Sequence, residues 1–496
     1  MDLQLGKQKR MMYARVFDRT EEETCSVDAV VPDALGDIGA IVVAEGTFCL
    51  WNLDFSDKSA QIEGSIAADV VYAEEGGALR SFPVELPVKV RISGETLSPD
   101  VRPWLRCTLT ALDARAVNSR KVRVTARLSL CLRAYRETEL ALTDRIEGDG
   151  GAVFTRTETL RVQIPVSVEE KTFTVSETHR FLSGQPEADR LLCHTETVLL
   201  DDVSAAGSRV ILQGRVCAAV TYLPQGQMCP VVETFETAFS QMLDCPADTS
   251  PCLLHTTVNL TAAYLNVSAA ADGAALEAEY HLVAQTVCLA DAEADCVTDA
   301  YCNTAELTLE RETVAAGTVE PLRLSAEGTL ACEAASLTVV SRRAVVCGMT
   351  EDGCDVLVRL LAADTEQHVS CMEKRLYLPL EPADGARLEL LSVQPEEPVV
   401  TVTADGFQIR VTVTVRTAAL QESDLRQVTG ATAQERACPY ASVPSLTIVR
   451  WGGEDLWTLA KRYCSSERLI RETNGLTDEA AMAEAPQYLL IPKTQA

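Results

Sequence analysis

The chain has 496 residues, with 44 Lys plus Arg against 72 Asp plus Glu, a net charge of −28. At roughly 150 residues per domain this is too long for one compact core and argues for three or four. The charge excludes nucleic acid and anionic membrane surfaces as expected partners, because both need the opposite sign.

In chain order, the first ten residues carry Lys7, Lys9 and Arg10, but no apolar run follows. No secretory signal is therefore expected. No stretch reaches the ~18 apolar residues that span a bilayer, so a cytosolic protein that does not cross the membrane is expected. There are 18 cysteines and no CxxC spacing. Cys49, Cys107, Cys131, Cys217, Cys288 and Cys347 sit in apolar strand-like runs, as small buried thiols do. Oxidative cross-linking in an assembled shell is the alternative.

Strand signals dominate from the N-terminus to about Ala419. Val122-Arg123-Val124-Thr125-Ala126-Arg127-Leu128 and Gln408-Ile409-Arg410-Val411-Thr412-Val413 alternate with period two, which buries one face and wets the other. The runs are separated by Gly, Pro, Asp and Asn turns, so an antiparallel, sandwich-like fold is expected. The order repeats three times. Gly64 leads to Tyr72 and Gly214 to Tyr222 at the same spacing, and a weaker third copy follows Gly353 with Val356-Leu357-Val358-Arg359-Leu360-Leu361. Each copy should end in a strand pair: residues 105–112 with 122–130, 257–265 with 276–283, and 388–393 with 408–415. The expected units are 1–140, 141–290 and 291–420. Residues 421–444 lack periodicity, hold Gly430, Pro439 and Pro444, and read as a linker.

Chemistry is sparse. Only His194 of the five histidines (His179, His194, His255, His281, His368) neighbours a cysteine, Cys193, and a zinc site needs about four converging ligands. GxSxG, HExxH and GxxxxGK[ST] are absent. Asp28, Asp33 and Asp37 lack the EF-hand order and read as an exposed turn in which Pro32 fixes φ, rather than a calcium loop. No metal, cofactor or enzyme activity is expected.

Residues 445–496 read as strand, turn, helix, helix, strand, a small βααβ module. Leu446-Thr447-Ile448-Val449 opens it. Leu456, Trp457, Leu459, Ala460 and Tyr463 make a helical stripe, and Leu489-Leu490-Ile491-Pro492 closes it. Asp455 is the expected cap of the first helix and Ser465 or Ser466 of the second, whose inward residues are Leu469 and Ile470. Gly475 suits a left-handed helix end.

Two resemblances follow from these residues. Val31-Pro32-Asp33-Ala34-Leu35-Gly36-Asp37-Ile38-Gly39, followed by Val43-Ala44-Glu45-Gly46-Thr47, resembles the signature of the SPOCS domain of clostridial spore-coat proteins. Ser183-Gly184-Gln185-Pro186-Glu187-Ala188-Asp189 stands in its place in the second copy, and Asp299-Ala300-Tyr301-Cys302 resembles the opening of a third. The C-terminal module resembles LysM. Repeated SPOCS-like units ahead of a LysM are the layout of the SipL family of spore-coat morphogenetic proteins.

The resemblance implies a non-enzymatic scaffold in the mother-cell cytoplasm, at the forespore surface, tethering the coat-basement ATPase. LysM modules bind GlcNAc-containing glycans or serve as protein docks, so peptidoglycan or a lipid-linked precursor is the alternative ligand. Carried onto this chain, the LysM groove is Gly453, Glu454, Asp455 and Leu456, then Asn474, Gly475 and Leu476. Asp455 replaces the usual Thr or Ser, and residues 477–486 carry Asp478, Glu479 and Glu484. An acidic rim of this kind suits a basic protein surface.

Overall fold

The computed structural model describes residues 2–149, 152–181, 188–245, 252–270, 273–333, 337–350, 353–380, 387–403, 405–435, 445–476 and 488–493. The chain is mainly β, with several antiparallel sheets and, among the described residues, two short helices near its C-terminus. The first unit comprises β1 (Leu3–Val30), β2 (Ile38–Ser56), β3 (Ser59–Glu74), β4 (Leu79–Ser93), β5 (Arg102–Asn118) and β6 (Lys121–Gly148). They form two three-stranded sheets, β2-β3-β4 and β1-β6-β5.

Alternation explains the packing. In β4, Phe82, Val84, Leu86, Val88, Val90 and Ile92 face inward and are buried. They meet Val122, Val124, Ala126, Leu128 and Leu130 of β6 in one core. Pro83 and Pro87 are tolerated because β4 is an edge strand with one unpaired side.

The second unit repeats this with β7 (Val153–Arg180), β8 (Ala188–Ala206), β9 (Arg209–Pro224), β10 (Val231–Asp244), β11 (Cys252–Ala270) and β12 (Gly273–Cys302). The third has β13 (Ala305–Thr313), β14 (Gly317–Glu333), β15 (Thr338–Thr350), β16 (Gly353–Ala363), β17 (Val369–Pro379), β18 (Arg387–Pro395), β19 (Val399–Thr403), β20 (Gly406–Glu422) and β21 (Arg426–Glu435). The three expected strand pairs form as β5 with β6, β11 with β12, and β18 with β20.

Glycine in the first two copies has a steric cause. A Cβ at Gly64 would lie 2.4 Å from the Cys49 carbonyl oxygen, and one at Gly214 would lie 2.4 Å from that of Leu199. Both face strand irregularities, at Leu50/Asn52 and Leu200/Asp202. In the third copy the matching residue is Cys354, not Gly353. Cys354 stands as far ahead of Asp364, whose N–H bonds His368 O, as Gly64 does of Glu74, whose N–H bonds Ala78 O. A one-residue slip would turn Val356, Val358 and Leu360 out of the core they fill.

The Pro-Asp loop is a cage for Arg120, which sits in the β5–β6 turn. Arg120 donates to the carbonyls of Val31, Pro32 and Leu35 at 2.6–3.0 Å and pairs with Asp33 and Asp37. Tyr72 donates to Gly36 O at 2.9 Å. Asp28 pairs with Arg123 and Lys121, so all three aspartates neutralise cations of the chain itself. The corresponding residues 183–187 of the second copy lie outside the described residues. Asp299-Ala300-Tyr301-Cys302 does not open a third copy: these residues end β12 and pair with Phe154 and its neighbours in β7.

The long strands join the units. β1 and β6 are each 28 residues, far beyond the five or six residues of an ordinary strand. The second half of β1 and the first half of β6 serve the first unit's own core, and the other halves continue as a ribbon. β7 with β12 does the same. In the third unit the ribbon is interrupted between β14 and β20 on one side and β13 and β21 on the other. Bonds from Val314 N to Leu425 O and from Ser423 N to Ala316 O, both 2.9 Å, carry the ladder across.

The far ribbons pack together through Met12, Leu142, Leu160, Ile164, Ala294 and Val314, and through Ile146, Val297, Ala300 and Val428. The unit boundaries expected at 140, 290 and 420 therefore fall inside β6, β12 and β20. The expected linker is strand from Arg426 to Glu435, paired with β13; residues 436–444 lie outside the described residues.

Side-chain amides bond the strand backbones where units meet. Gln427 accepts from Thr143 N at 3.0 Å and donates to Ala141 O at 3.1 Å. Gln285 accepts from Leu105 N, and Asn259 bonds both Cys107 N and Leu105 O. Gln163 accepts from Val319 N at 2.7 Å.

The C-terminal module is β22 (Leu446–Arg450), α1 (Leu456–Tyr463), α2 (Glu467–Asn474) and β23 (Tyr488–Pro492), with β22 and β23 antiparallel. Ser466 caps α2 by accepting from Leu469 N, and Gly475 ends it at φ 70°. Asp455 occupies the N-cap position of α1 without bonding its backbone, because its carboxylate is engaged elsewhere.

Replacing Gln427 by Ala strands a buried N–H and a buried carbonyl, so a loss of about 2–4 kcal/mol is expected in denaturant unfolding. Gln434→Ala, at an exposed position of the same strand, should cost less than about 0.5 kcal/mol.

Candidate functional site

The seven expected groove residues divide into two sets. Leu456 and Leu476 are buried in the module core with Leu459, Ile470, Leu489 and Ile491. Asn474 pins α2 to β23: its amide donates to Leu490 O at 2.6 Å and accepts from Leu490 N at 2.7 Å. The exposed set is Gly453, Glu454, Asp455 and Gly475. Gly453 has φ 88°, and nothing stands within 4 Å of a Cβ built at Gly453 or Gly475. Glu454 pairs with Arg462 at 3.0 Å, and its carbonyl accepts from the Trp451 indole at 2.9 Å. Residues 477–487, the expected second wall with Asp478, Glu479 and Glu484, lie outside the described residues.

The module is seated on the tip of the β7–β12 ribbon. Trp457, expected in the module's core, is buried there and also reaches the ribbon. Its ring meets Tyr301 edge-on at 4.9 Å, and its indole N–H donates to Asp299 at 2.8 Å. Tyr301 stacks on Phe154 at 5.0 Å and donates to Ser465 O at 2.7 Å. Asp299 also receives Lys461 and Arg311. Asp455 is held by Arg156 of β7 at 3.0 Å, which explains the missing cap. Burial alone would raise the Asp299 pKa, but the bonds from Trp457 and Lys461 hold it below the usual range. Burial pushes the Tyr301 phenol upward. Nothing in the sequence marked Asp299, Tyr301 or Arg156 as this seat, because their contacts lie some 160 to 300 residues away.

A second polar cluster lies where the three units meet. Glu45, Thr195 and Arg343 occupy matching register positions in β2, β8 and β15, opposite Asp69, Ala219 and Arg359. Arg343 reaches Glu45 at 2.6 Å and Thr195 Oγ1 at 3.1 Å. Beside them, His194 Nδ1 bonds Glu196 at 2.7 Å, Asp69 lies 3.8 Å from Nε2, and Thr47 donates to Glu196 at 2.6 Å. Carboxylates at both ring nitrogens make His194 an interface cation. Burial disfavours its charge, but the Glu196 bond and the charges of Glu196 and Asp69 outweigh this and raise the pKa to about 8. His179 bonds Thr237, and His255 is buried.

Between the units lies a cavity of about 1650 Å³ walled by β2, β5, β8, β11, β15 and β18. Among the described residues, no group of three His, Cys, Asp or Glu could hold a metal ion, and no helix is long and apolar enough to cross a membrane. No family model, no curated protein and no solved structure matches the chain. The SPOCS and LysM resemblances therefore rest on the residues quoted for them.

Two outcomes are expected. Asp299→Asn should weaken the seat by about 1–3 kcal/mol, read as faster amide exchange in α1 and a red-shifted Trp457 emission in the full chain. For His194, the folded pKa of about 8 exceeds the unfolded value of about 6.5. Its contribution, about 2 kcal/mol, is complete below pH ~6.5 and is lost as pH rises through about 8. Urea unfolding at pH 6 and pH 9 should show that loss in the wild type and not in His194→Gln.

Proposed function

We propose that the chain is a non-enzymatic scaffold of the spore coat, tethering the coat-basement ATPase to the forespore surface from the mother-cell cytoplasm. The resemblance to the SipL layout motivates the partner and the place. The observation that carries the reading is the βααβ module held on the ribbon tip by Trp457, Tyr301, Asp299 and Arg156. That seat leaves Gly453, Glu454 and Gly475 on the open side. A module fixed to a large β body by its inner helix face transmits load from an outer partner to the body. Glu454 and the acidic balance of the chain, −28, favour a basic partner surface.

The bare backbone at Gly453 and Gly475 favours a second reading, a glycan whose acetamido groups bond main-chain groups there.

Capture of the coat-basement ATPase tests the first reading. The truncated chain ends at Glu435, which keeps β21 whole. The full chain should retain the ATPase, and the truncated chain and Glu454→Lys should lose it, by at least tenfold in dissociation constant. Equal capture by all three, or a fluorescent fusion that stays diffuse through sporulation, refutes the scaffold reading. Heat on titrating the full chain with chitin oligomers, abolished by a Gly453→Val change, moves the assignment to the glycan.

A further inference from the structure

One cation in the wall of the central cavity stands apart from the ion pairs around it. Arg106 of β5 lines the cavity, half-buried, and its guanidinium donates to Leu390 O at 3.0 Å. No ion pair forms at Arg106 among the described residues. The other buried or half-buried arginines of the wall are matched: Arg215 by Asp201 and Glu236, Arg343 by Glu45, and Arg359 by Glu373.

Beside Arg106, the Arg133 guanidinium lies over the Trp104 ring at 4.6 Å, with its side chain only 5% exposed. Arg133 and Arg15 share Glu389 and Asp18. The cluster thus holds three guanidinium groups and two carboxylates. His255 behind it cannot restore balance, since burial and then Arg133 and Arg15 push its pKa down to about 3. Desolvation acts on Arg106 in the same sense. Two Arg133 nitrogens, Nε and Nη1, lack a hydrogen-bond partner of good geometry.

A guanidinium has five donors in a planar fork that fits an oxyanion edge, and a desolvated unpaired cation is costly to keep. Arg106 uses one donor. Hydroxyls of Thr108, Thr257 and Thr417 line the same space. We propose that Arg106, backed by Arg133, is the anchor of an anion site in this cavity, taking a small ligand that bears a phosphate or carboxylate group. The site is independent of the module and of its partner.

The test is thermal unfolding of the full chain in inorganic phosphate, in succinate and in sodium chloride at matched ionic strength. It compares wild type, Arg106→Met and Arg323→Met. Phosphate or succinate, and not chloride, should raise the wild-type midpoint saturably by about 1–3 °C. Arg323→Met, on the same cavity wall, should keep the rise, and Arg106→Met should lose it. A rise with phosphate alone assigns a phosphate-bearing ligand, and one with succinate alone a carboxylate. No rise in the wild type, an equal rise in chloride, or an undiminished rise in Arg106→Met overturns the site. If Arg106→Met does not fold, wild-type crystals soaked in selenate decide. An anomalous peak on the Arg106 guanidinium upholds the proposal, and its absence there overturns it.

Discussion

The fold depends on the length of its ribbons. A strand of 28 residues runs well past the core of a two-sheet unit, so its far half has an apolar face with nothing of its own to cover it. Three such ribbons solve the problem jointly. Leu142 from the first, Leu160 and Ile164 from the second, and Val314 from the third cover one another. No unit can bury its ribbon alone, which couples the three units more tightly than loops would. The amides of Gln427, Gln163, Gln285 and Asn259 then satisfy strand backbone at the seams, where an unpaired buried N–H would otherwise be costly.

The position of the C-terminal module follows from the same constraint. Only because β7 and β12 continue beyond their own unit do Phe154, Asp299 and Tyr301 stand at a tip where a helix can land. Trp457 joins the module's core to Tyr301 at that tip, and its N–H finds a carboxylate. A module of two strands and two short helices has little core of its own, so borrowing Tyr301 and Phe154 enlarges it.

Much of this was legible in the residues. Period-two alternation gave the strands, the Gly64 and Gly214 spacing gave the repeat, and Ser466 and Gly475 marked the ends of α2 where they occur. What alternation cannot state is the identity of the surface opposite a buried face. The expected boundaries therefore fall inside β6, β12 and β20. The strand β21 reads as a linker for a related reason. It lies in the narrow far bundle, where small residues such as Gly430, Ala431 and Ala433 fit, and a strand built on these gives almost no hydrophobic signal. At Asp455 a good capping residue was present, but a charge-assisted bond to Arg156 engages its carboxylate in place of the helix end.

The meeting point of Glu45, Thr195 and Arg343 shows why three copies in one chain differ from three identical chains. At matching positions, a symmetric assembly would bring together three glutamates or three arginines, and like charges in a half-buried site repel with no partner to offset them. A single chain can place an acid, a hydroxyl and a guanidinium there, so that Arg343 satisfies both of the others. The same freedom places Asp69 and Arg359 at one register position in two copies, the first facing His194 and the second Glu45. At the junction, Arg343 and Arg359 of the third copy both answer Glu45 of the first.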